Sequence, residues 1–593
     1  MKQSIDPILL EIIKNAFDAI ADEMAIILMR TAYSPIVRDS MDYSTAICDP
    51  SGRNLAQGLT TPMHLGSFYD AMAHLVSQYR DRVDPGDVFV ANDPYLASGQ
   101  HLPDIYVIKP IFANDRLAGW ATTIAHHADV GGIVPGSNSI GATEIYQDGL
   151  RLPFLKLYER HSENRDVWEI IEANVRVPEQ VLGDLRAQAA ACRAGERSLL
   201  ELIQRYGIDK VLAYGTELHD YAERLTRAEI SEMPNGTYEF THYIDGLGEN
   251  PEPIVFRVSI VKQGEEILVD WSGTSPQVKG GINAPLSFTK SNVYAAIRSI
   301  LPPDMPNAHG YTRPIKVTAP PGTIVNCTHP APCGARGITG YRITDCMFGA
   351  LAKAVPHKVA ADGAGGSTLP SFGGYRNGEA FVFSECVMGT WGATSAHDGQ
   401  DGVPHMSSNQ SNVPIEMIEA GYPIRIERYG FVIDSGGAGL HRGGLSVLRE
   451  YRVLQDDTYF GVRSDKRHFP PYGLFGGQSG APSQNVVVSG NNERLIPTLP
   501  VSPITMNKND VFRHTMAGGG GYGDPLERTP DRVLEDFLDG RVSAVQARVA
   551  YGVVIDEALD PQIDSVQTDA LRTQMRRVSR QQGALDDVVK CNV

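Results

Sequence analysis

A chain of 593 residues is too long for one hydrophobic core and predicts several domains or a large layered body. Its 42% hydrophobic and 21% charged content is that of an ordinary globular protein, and a net charge of −17 with no long Lys/Arg run argues against nucleic-acid binding. Seven cysteines without close pairing argue against a disulfide framework, and no apolar run approaches the roughly 20 residues that cross a bilayer, so the expectation is a soluble, reduced, cytoplasmic protein.

The opening Met-Lys-Gln-Ser-Ile-Asp-Pro has no apolar signal region. Asp6 followed by Pro7 starts a helix, a capping side chain and then proline at the first helical position. Leu9, Ile13, Phe17, Ile20, Met24 and Ile27 recur at helical spacing with Glu11, Lys14, Asp18 and Asp22 off the stripe. This long amphipathic helix should cover a sheet or an adjoining subunit. Residues 42–48 read as a strand and Asp49-Pro-Ser-Gly52 as a turn. Strands follow over 88–91, 105–112 and 117–125, then a helix over 166–206.

From Gly236 the pattern changes to alternation. Residues 237–243, 255–261 and 266–271 read as half-buried antiparallel strands, with turns at Asn235-Gly236 and Gln263-Gly264. Proline pairs at 302–303 and 320–321 precede a helix over 339–354. Glycine-rich loops cover 362–374 and 434–444, a strand covers 485–489, and Gly518–Gly521 marks a backbone crossing that ends the β-rich body. Helices over 531–539 and 544–551 follow. The fold class is multi-domain α+β. A mixed α/β region (1–232) carries the site, a β-rich domain spans 233–330, a glycine-rich α+β region spans 331–525, and a helical tail spans 526–593.

Two stretches place imidazole and carboxylate together where a strand meets a loop: His101-Leu-Pro-Asp104 and Ala125-His-His-Ala-Asp129-Val-Gly-Gly132. Two imidazoles and one or two carboxylates from adjacent strand ends can enclose a divalent cation and leave a position open. Against this, a chain with 16 histidines holds some His/Asp neighbours by chance, and His-x-x-Asp is far less specific than His-Glu-x-x-His. Adjacent strand residues point to opposite faces, so only one of His126 and His127 fits as a ligand.

Other signals are weaker. Phe431-Val-Ile-Asp434-Ser-Gly-Gly437 has the strand–Asp–Gly shape of an actin-type phosphate loop, faintly echoed by Asp362-Gly-Ala-Gly-Gly-Ser367, but no duplicated unit surrounds them and structural turns are the better reading. No Gly-x-x-x-x-Gly-Lys-Ser/Thr loop and no Gly-x-Ser-x-Gly elbow occurs. Cys333 in Pro-Cys-Gly reads as buried and structural. His397, Asp398, His405 and Asn409 lie in a polar stretch that could line a cleft.

Met41-Asp-Tyr-Ser44, Gly99-Gln-His-Leu-Pro-Asp104, His126-His-Ala-Asp-Val-Gly-Gly-Ile-Val-Pro-Gly136, Asp434-Ser-Gly-Gly-Ala-Gly439 and Gly518-Gly-Gly-Gly-Tyr-Gly-Asp-Pro525 resemble, in order and over nearly the whole chain, the hydantoinase B/oxoprolinase family. That family includes ATP-dependent hydantoin and lactam hydrolases and the larger subunits of acetone- and acetophenone-type carboxylases. The resemblance implies a B-type subunit acting on a cyclic amide after a separate, actin-like A-type subunit has used ATP to phosphorylate the amide oxygen. It implies a hetero-oligomer such as (AB)2, with ATP on the partner, which explains the missing nucleotide loop. It also implies Asp42, His101, Asp104 and His126 as ligands of a divalent Zn, Mn or Fe ion, with His127 and Asp129 handling a proton. The family pattern is more basic before Asp42 than Val37-Arg-Asp-Ser-Met is here, so no anion is assigned to Arg38. A carboxylase subunit is the alternative, although those tend to be longer, and a non-catalytic scaffold is the third reading.

Overall fold

The computed structural model describes residues 5–58, 61–64, 66–79, 82–366, 368–556 and 558–590. Its first helix, Pro7–Thr31, begins as expected: Asp6 Oδ1 accepts from Ile8 N at 2.9 Å, and Ile13, Phe17, Met24 and Leu28 are buried.

That helix lies on a seven-stranded antiparallel sheet. The strand order is Asn54–Gln57, Tyr43–Cys48, Arg116–His126, Asp104–Ala113, Val88–Ala91, Leu155–Glu159 and Ser162–Glu163. The central strands are buried on both faces, which is why they read as near-continuous apolar runs. Side-chain alternation divides them. Ala46, Tyr106, Ile108, Trp120 and Ile124 pack with Phe68, Met72 and Leu75 of the Ser67–Tyr79 helix. The alternate residues Ile47, Val107 and Ala121 join the core shared with the Pro7–Thr31 and Pro178–Tyr206 helices.

The helix expected over 166–206 is two helices, Arg165–Asn174 and Pro178–Tyr206. Pro178 lacks an N–H and clashes with a preceding helical turn, so it can only begin the second. A further helix, Ile208–Ser231, follows Gly207, whose φ of +83° redirects the chain.

Strands Ile315–Thr318, Glu266–Asp270, Ile254–Gln263 and Gly236–Ile244 form a second sheet, covered by the Gly337–Leu351 helix. The same core runs through it, linking Ile13 near one end of the chain with Val359. Two further sheets stack on one another. One is ordered Glu379–Ser384, Leu369–Arg376, Thr458–Arg463, Ile504–Met506, and the other Ile424–Val432, Ser446–Val453, Val511–Thr515, Gln484–Ser489, Asn492–Leu495. Phe372, Phe383, Tyr451, Phe460 and Phe512 fill the space between them.

The loop expected over 362–374 therefore gives way to a strand from Leu369. Residue 367 lies outside the described residues. Gly365 and Gly366 form a turn, with Gly366 at φ +114°, whereas Gly373 serves packing: a Cβ there would collide with Pro135. Residues 434–444 and 518–521 do cross main chain to main chain. Gly519 N bonds Gly444 O at 2.9 Å, and a Cβ on Gly443 would overlap the Gly519 carbonyl. Asp434 accepts from Ser543 N at 2.7 Å and so fixes the start of the Ala544–Tyr551 helix, a structural turn as read from the sequence. Helices Pro530–Leu538 and Ala544–Tyr551 are followed by a third, Ser565–Lys590, and no helix among the described residues is long and apolar enough to cross a membrane.

Candidate metal centre

The site is built by sheet register. Asp104 pairs with His126 at the end of the ladder between Asp104–Ala113 and Arg116–His126, while Tyr43 pairs with Ala125 and His126 N donates to Asp42 O at 3.0 Å. Asp42, His126 and Asp104 thus form one row across three neighbouring strands. Residues directly opposite share a face, and alternation puts this row on the face of Ser44, Tyr106 and Ile124.

His101 joins them from the turn before Asp104, where Pro103 prevents a helix. Its Nε2 is 3.2 Å from Asp104 Oδ1, and its ring centroid is 5.0 Å from that of His126. Its Nδ1 meets Gly334 O at 2.9 Å, and a carbonyl can only accept. The proton therefore sits on Nδ1 and the Nε2 lone pair points into the cluster.

All four side chains are buried: His101 and Asp104 are 0% exposed, His126 5% and Asp42 6%. His101 Nε2, Asp104 Oδ1 and both ring nitrogens of His126 have no hydrogen-bond partner among the described residues. Buried polar atoms normally find partners, so this group of orphans marks a place for something that accepts lone pairs. A divalent cation fits that donor set of two imidazoles and two carboxylates.

Burial, then Arg336, keeps the His101 ring neutral, and burial does the same for His126. Burial and the neighbouring Asp104 push Asp42 up to about 7. At Asp104 the cost of burial is outweighed by the groups around it, the bonded Arg336 guanidinium among them, which hold it well below the usual carboxylate range.

His127 and Asp129 are placed elsewhere. His127 lies on the other face of the sheet, its Nε2 3.0 Å from Gln188 Oε1 on the Pro178–Tyr206 helix. Asp129 accepts from Gly131 N, Gly136 N, Arg176 N and Arg176 Nη1 at 2.9–3.1 Å, and so ties the loop after His126 to Arg176.

Several residues near the cluster carry no sequence signal because they come from distant segments. Arg336 bonds Asp104 Oδ2 and, at 2.8 Å, Gln100 Oε1. His64 Nε2 is 3.8 Å from Asp104 Oδ2, with Nδ1 3.0 Å from Ser44 Oγ. Gln410 lies close enough to Asp42 to favour its ionised form, and the Arg463 charge acts on both Asp42 and His126. Arg38 is spent on Asp39 at 2.9 Å.

A second buried group, His242, Asp345 and Asp362, brings its ligand atoms within 4.8 Å of one another. It already contains cations. Lys466 Nζ is 2.9 Å from Asp345 Oδ2 and 2.5 Å from Asp362 Oδ1, and Arg342 bonds Asp465. An ion there would have to displace an ammonium group. Beside this network lies a cavity of about 260 Å³ lined in part by Trp391, His397 and His405, where His405 packs against Tyr341 at 5.1 Å. Asp398 instead pairs with Arg528 at 2.7 Å.

The chain is 32% identical to caprolactamase subunit beta of Pseudomonas jessenii over 589 residues, covering 96% of this chain and 99% of that one. The crystal structure of the ATP-dependent caprolactamase from Pseudomonas jessenii superposes with a TM-score of 0.88 at 31% identity, over 96% of this chain and 100% of that one. Nucleotide-free acetone carboxylase superposes with a TM-score of 0.91 over 97% of this chain and 84% of that one, at 20% identity, and so shares the fold. The family model for hydantoinase B/oxoprolinase matches residues 6–525, and with these likenesses it shows that the chain belongs to the hydantoinase B/oxoprolinase family.

Proposed function

We propose that this chain is the B-type subunit of an ATP-dependent hydrolase of cyclic amides, acting on a lactam, hydantoin or oxoproline-like ring. The observation that carries the reading is the buried cluster of His101, His126, Asp104 and Asp42, in which His101 Nε2, Asp104 Oδ1 and both His126 ring nitrogens lack hydrogen-bond partners among the described residues. The relation to a caprolactamase beta subunit supports the reaction class and an A-type partner that handles ATP.

In this reading Asp42, His101, Asp104 and His126 hold a divalent ion, and mixed N/O ligation suits Zn, Mn or Fe. When bound, that ion supplies Lewis acidity in a site closed to bulk water. His101 and His126 present neutral nitrogens because burial disfavours their cationic forms. Gly334 O fixes the His101 tautomer, and Arg336 holds Asp104 ionised. His127 and Asp129, expected to move a proton, act in this reading as positioning residues. His127 braces the strand end against Gln188, and Asp129 anchors the following loop on Arg176.

The partner's task follows from amide chemistry. Resonance makes an amide carbon a poor electrophile, and phosphorylating its oxygen removes that resonance. Reconstitution with an A-type subunit tests the proposal. Ring opening of ε-caprolactam, hydantoin or 5-oxoproline should depend on ATP and metal and proceed without bicarbonate. ATP turnover that requires bicarbonate and a ketone would replace it with the carboxylase reading. Full activity in both His101→Ala and Asp104→Ala would reduce the chain to a scaffold.

A further inference from the structure

Arg463 ends the Thr458–Arg463 strand and is 5% exposed. Other buried cations among the described residues are matched. Arg342 faces Asp465, Arg449 faces Glu385 at 3.1 Å and Lys466 faces two aspartates, while Lys262 and Arg572 donate to main-chain carbonyls. Among the described residues the Arg463 guanidinium has no carboxylate within ion-pair distance. Its hydrogen bond is to Cys386 Sγ at 3.5 Å, and its Nε has no partner. A buried guanidinium without an anion is strongly unfavourable.

Where it points is informative. A Cβ on Gly337 would meet Arg463 Nη1 at 2.6 Å and Cζ at 2.9 Å, so the guanidinium lies directly on the first residue of the Gly337–Leu351 helix. That helix starts buried at Arg336 with no side-chain cap; Thr339 N and Gly340 N both reach back to Arg336 O, which leaves the N–H groups of Gly337 and Ile338 without an intrahelical partner at the positive end of the helix. Arg336, at the same helix end, also keeps an unpartnered Nε, while its other arm bonds Asp104. The charges agree. With a divalent ion held by Asp42 and Asp104, those two carboxylates are neutralised, and the Arg336 and Arg463 guanidinium groups are left as two positive charges in excess.

We infer that Arg463, Arg336 and the amino end of the Gly337–Leu351 helix form a binding site for a phosphate dianion beside the metal cluster. Planar guanidinium groups and free helix N–H groups are the standard recognition chemistry for such an ion. Resting on the cyclic-amide reading above, the site holds the phosphoryl group of the activated ring and so places the ring carbon at Asp42, His101, Asp104 and His126. It binds and orients; bond making and breaking take place at the carbon.

Thermal unfolding of the full chain, loaded with divalent metal and titrated with inorganic phosphate, tests this. The wild type should gain stability saturably as phosphate is added. Arg463→Met should melt at or above the wild type without phosphate, because a lone buried charge is removed. It should also need at least about tenfold more phosphate for the same shift, with Arg463→Lys between the two. A wild type that does not respond, an equal response in Arg463→Met, or an Arg463→Met chain that melts below the wild type or fails to fold overturns the site. Ring opening measured on the same preparations separates the two claims. A chain that hydrolyses the ring but ignores phosphate overturns the anion site alone. One that binds phosphate through Arg463 but opens no ring overturns the hydrolase reading alone.

Discussion

Asp104 and His126 stand directly opposite each other in the ladder, and Asp42 flanks His126 from the other side. Antiparallel register therefore brings three of the four proposed ligands into line, and a slip of one residue would turn His126 away and His127 inward. The first prediction follows from that parity. His126→Ala should bind divalent metal at least about 100-fold more weakly and lose ring-opening activity, whereas His127→Gln should keep metal content near wild type. Elemental analysis of the dialysed proteins checks it; metal loss in both variants would mean that the register does not separate the pair.

Asp129 is a structural anchor. Asp129→Asn keeps the shape but cannot accept all four donors, so a loss of about 1–3 kcal/mol in unfolding free energy is expected. Metal content should not change. Denaturant titration with metal analysis checks both, and a drop in metal with unchanged stability would put Asp129 in the site itself.

Gly443 and Gly519 cross with no room for a side chain. Gly443→Ala must separate two main chains that are bonded through Gly519 N and Gly444 O. The variant should lose most of its soluble yield, a larger effect than the roughly 1 kcal/mol typical of a point mutation. Wild-type yield and melting behaviour would show that the crossing is loose.

Stability should fall in mild acid. His514 is buried between Asn485 Oδ1 at 2.8 Å and Thr368 Oγ1 at 2.9 Å, and burial pushes it down to about 3. His242 is pushed down to about 4 by burial and then by Arg342. Unfolded histidine titrates near about 6.5. Below that pH the unfolded chain takes up protons that the folded one refuses, so the contribution is whole above about pH 6.5 and is lost as pH falls towards 4 and then 3. Each such histidine accounts for about 1.4 kcal/mol per pH unit inside its window. Melting curves from pH 7.5 to 4.5 should show the loss, and His514→Gln should flatten part of it. An unchanged slope would mean that His514 is accessible to protons in the folded state.

What could be read from the sequence depended on how local each signal was. The Asp6-Pro7 helix start and the alternating strands after Gly236 are short-range patterns, and they appear where expected. Ile208–Ser231 and Ser67–Tyr79 were missed, the first because its many charged residues hide a narrow apolar stripe. The strand at Leu369 was hidden by glycines needed for contact with Pro135, 238 positions away from Gly373. In the site, His101 and Asp104 share one turn and stood out, while Asp42 entered only through the family likeness. Arg336 lies 232 residues from Asp104, and no spacing rule reaches that far.

The most direct test is an anomalous-scattering map of crystals grown with Mn or Zn. The account predicts one strong peak coordinated by His101 and His126 nitrogens and by Asp42 and Asp104 oxygens. A peak at His242, Asp345 and Asp362, with Lys466 displaced and the first cluster empty, would contradict it.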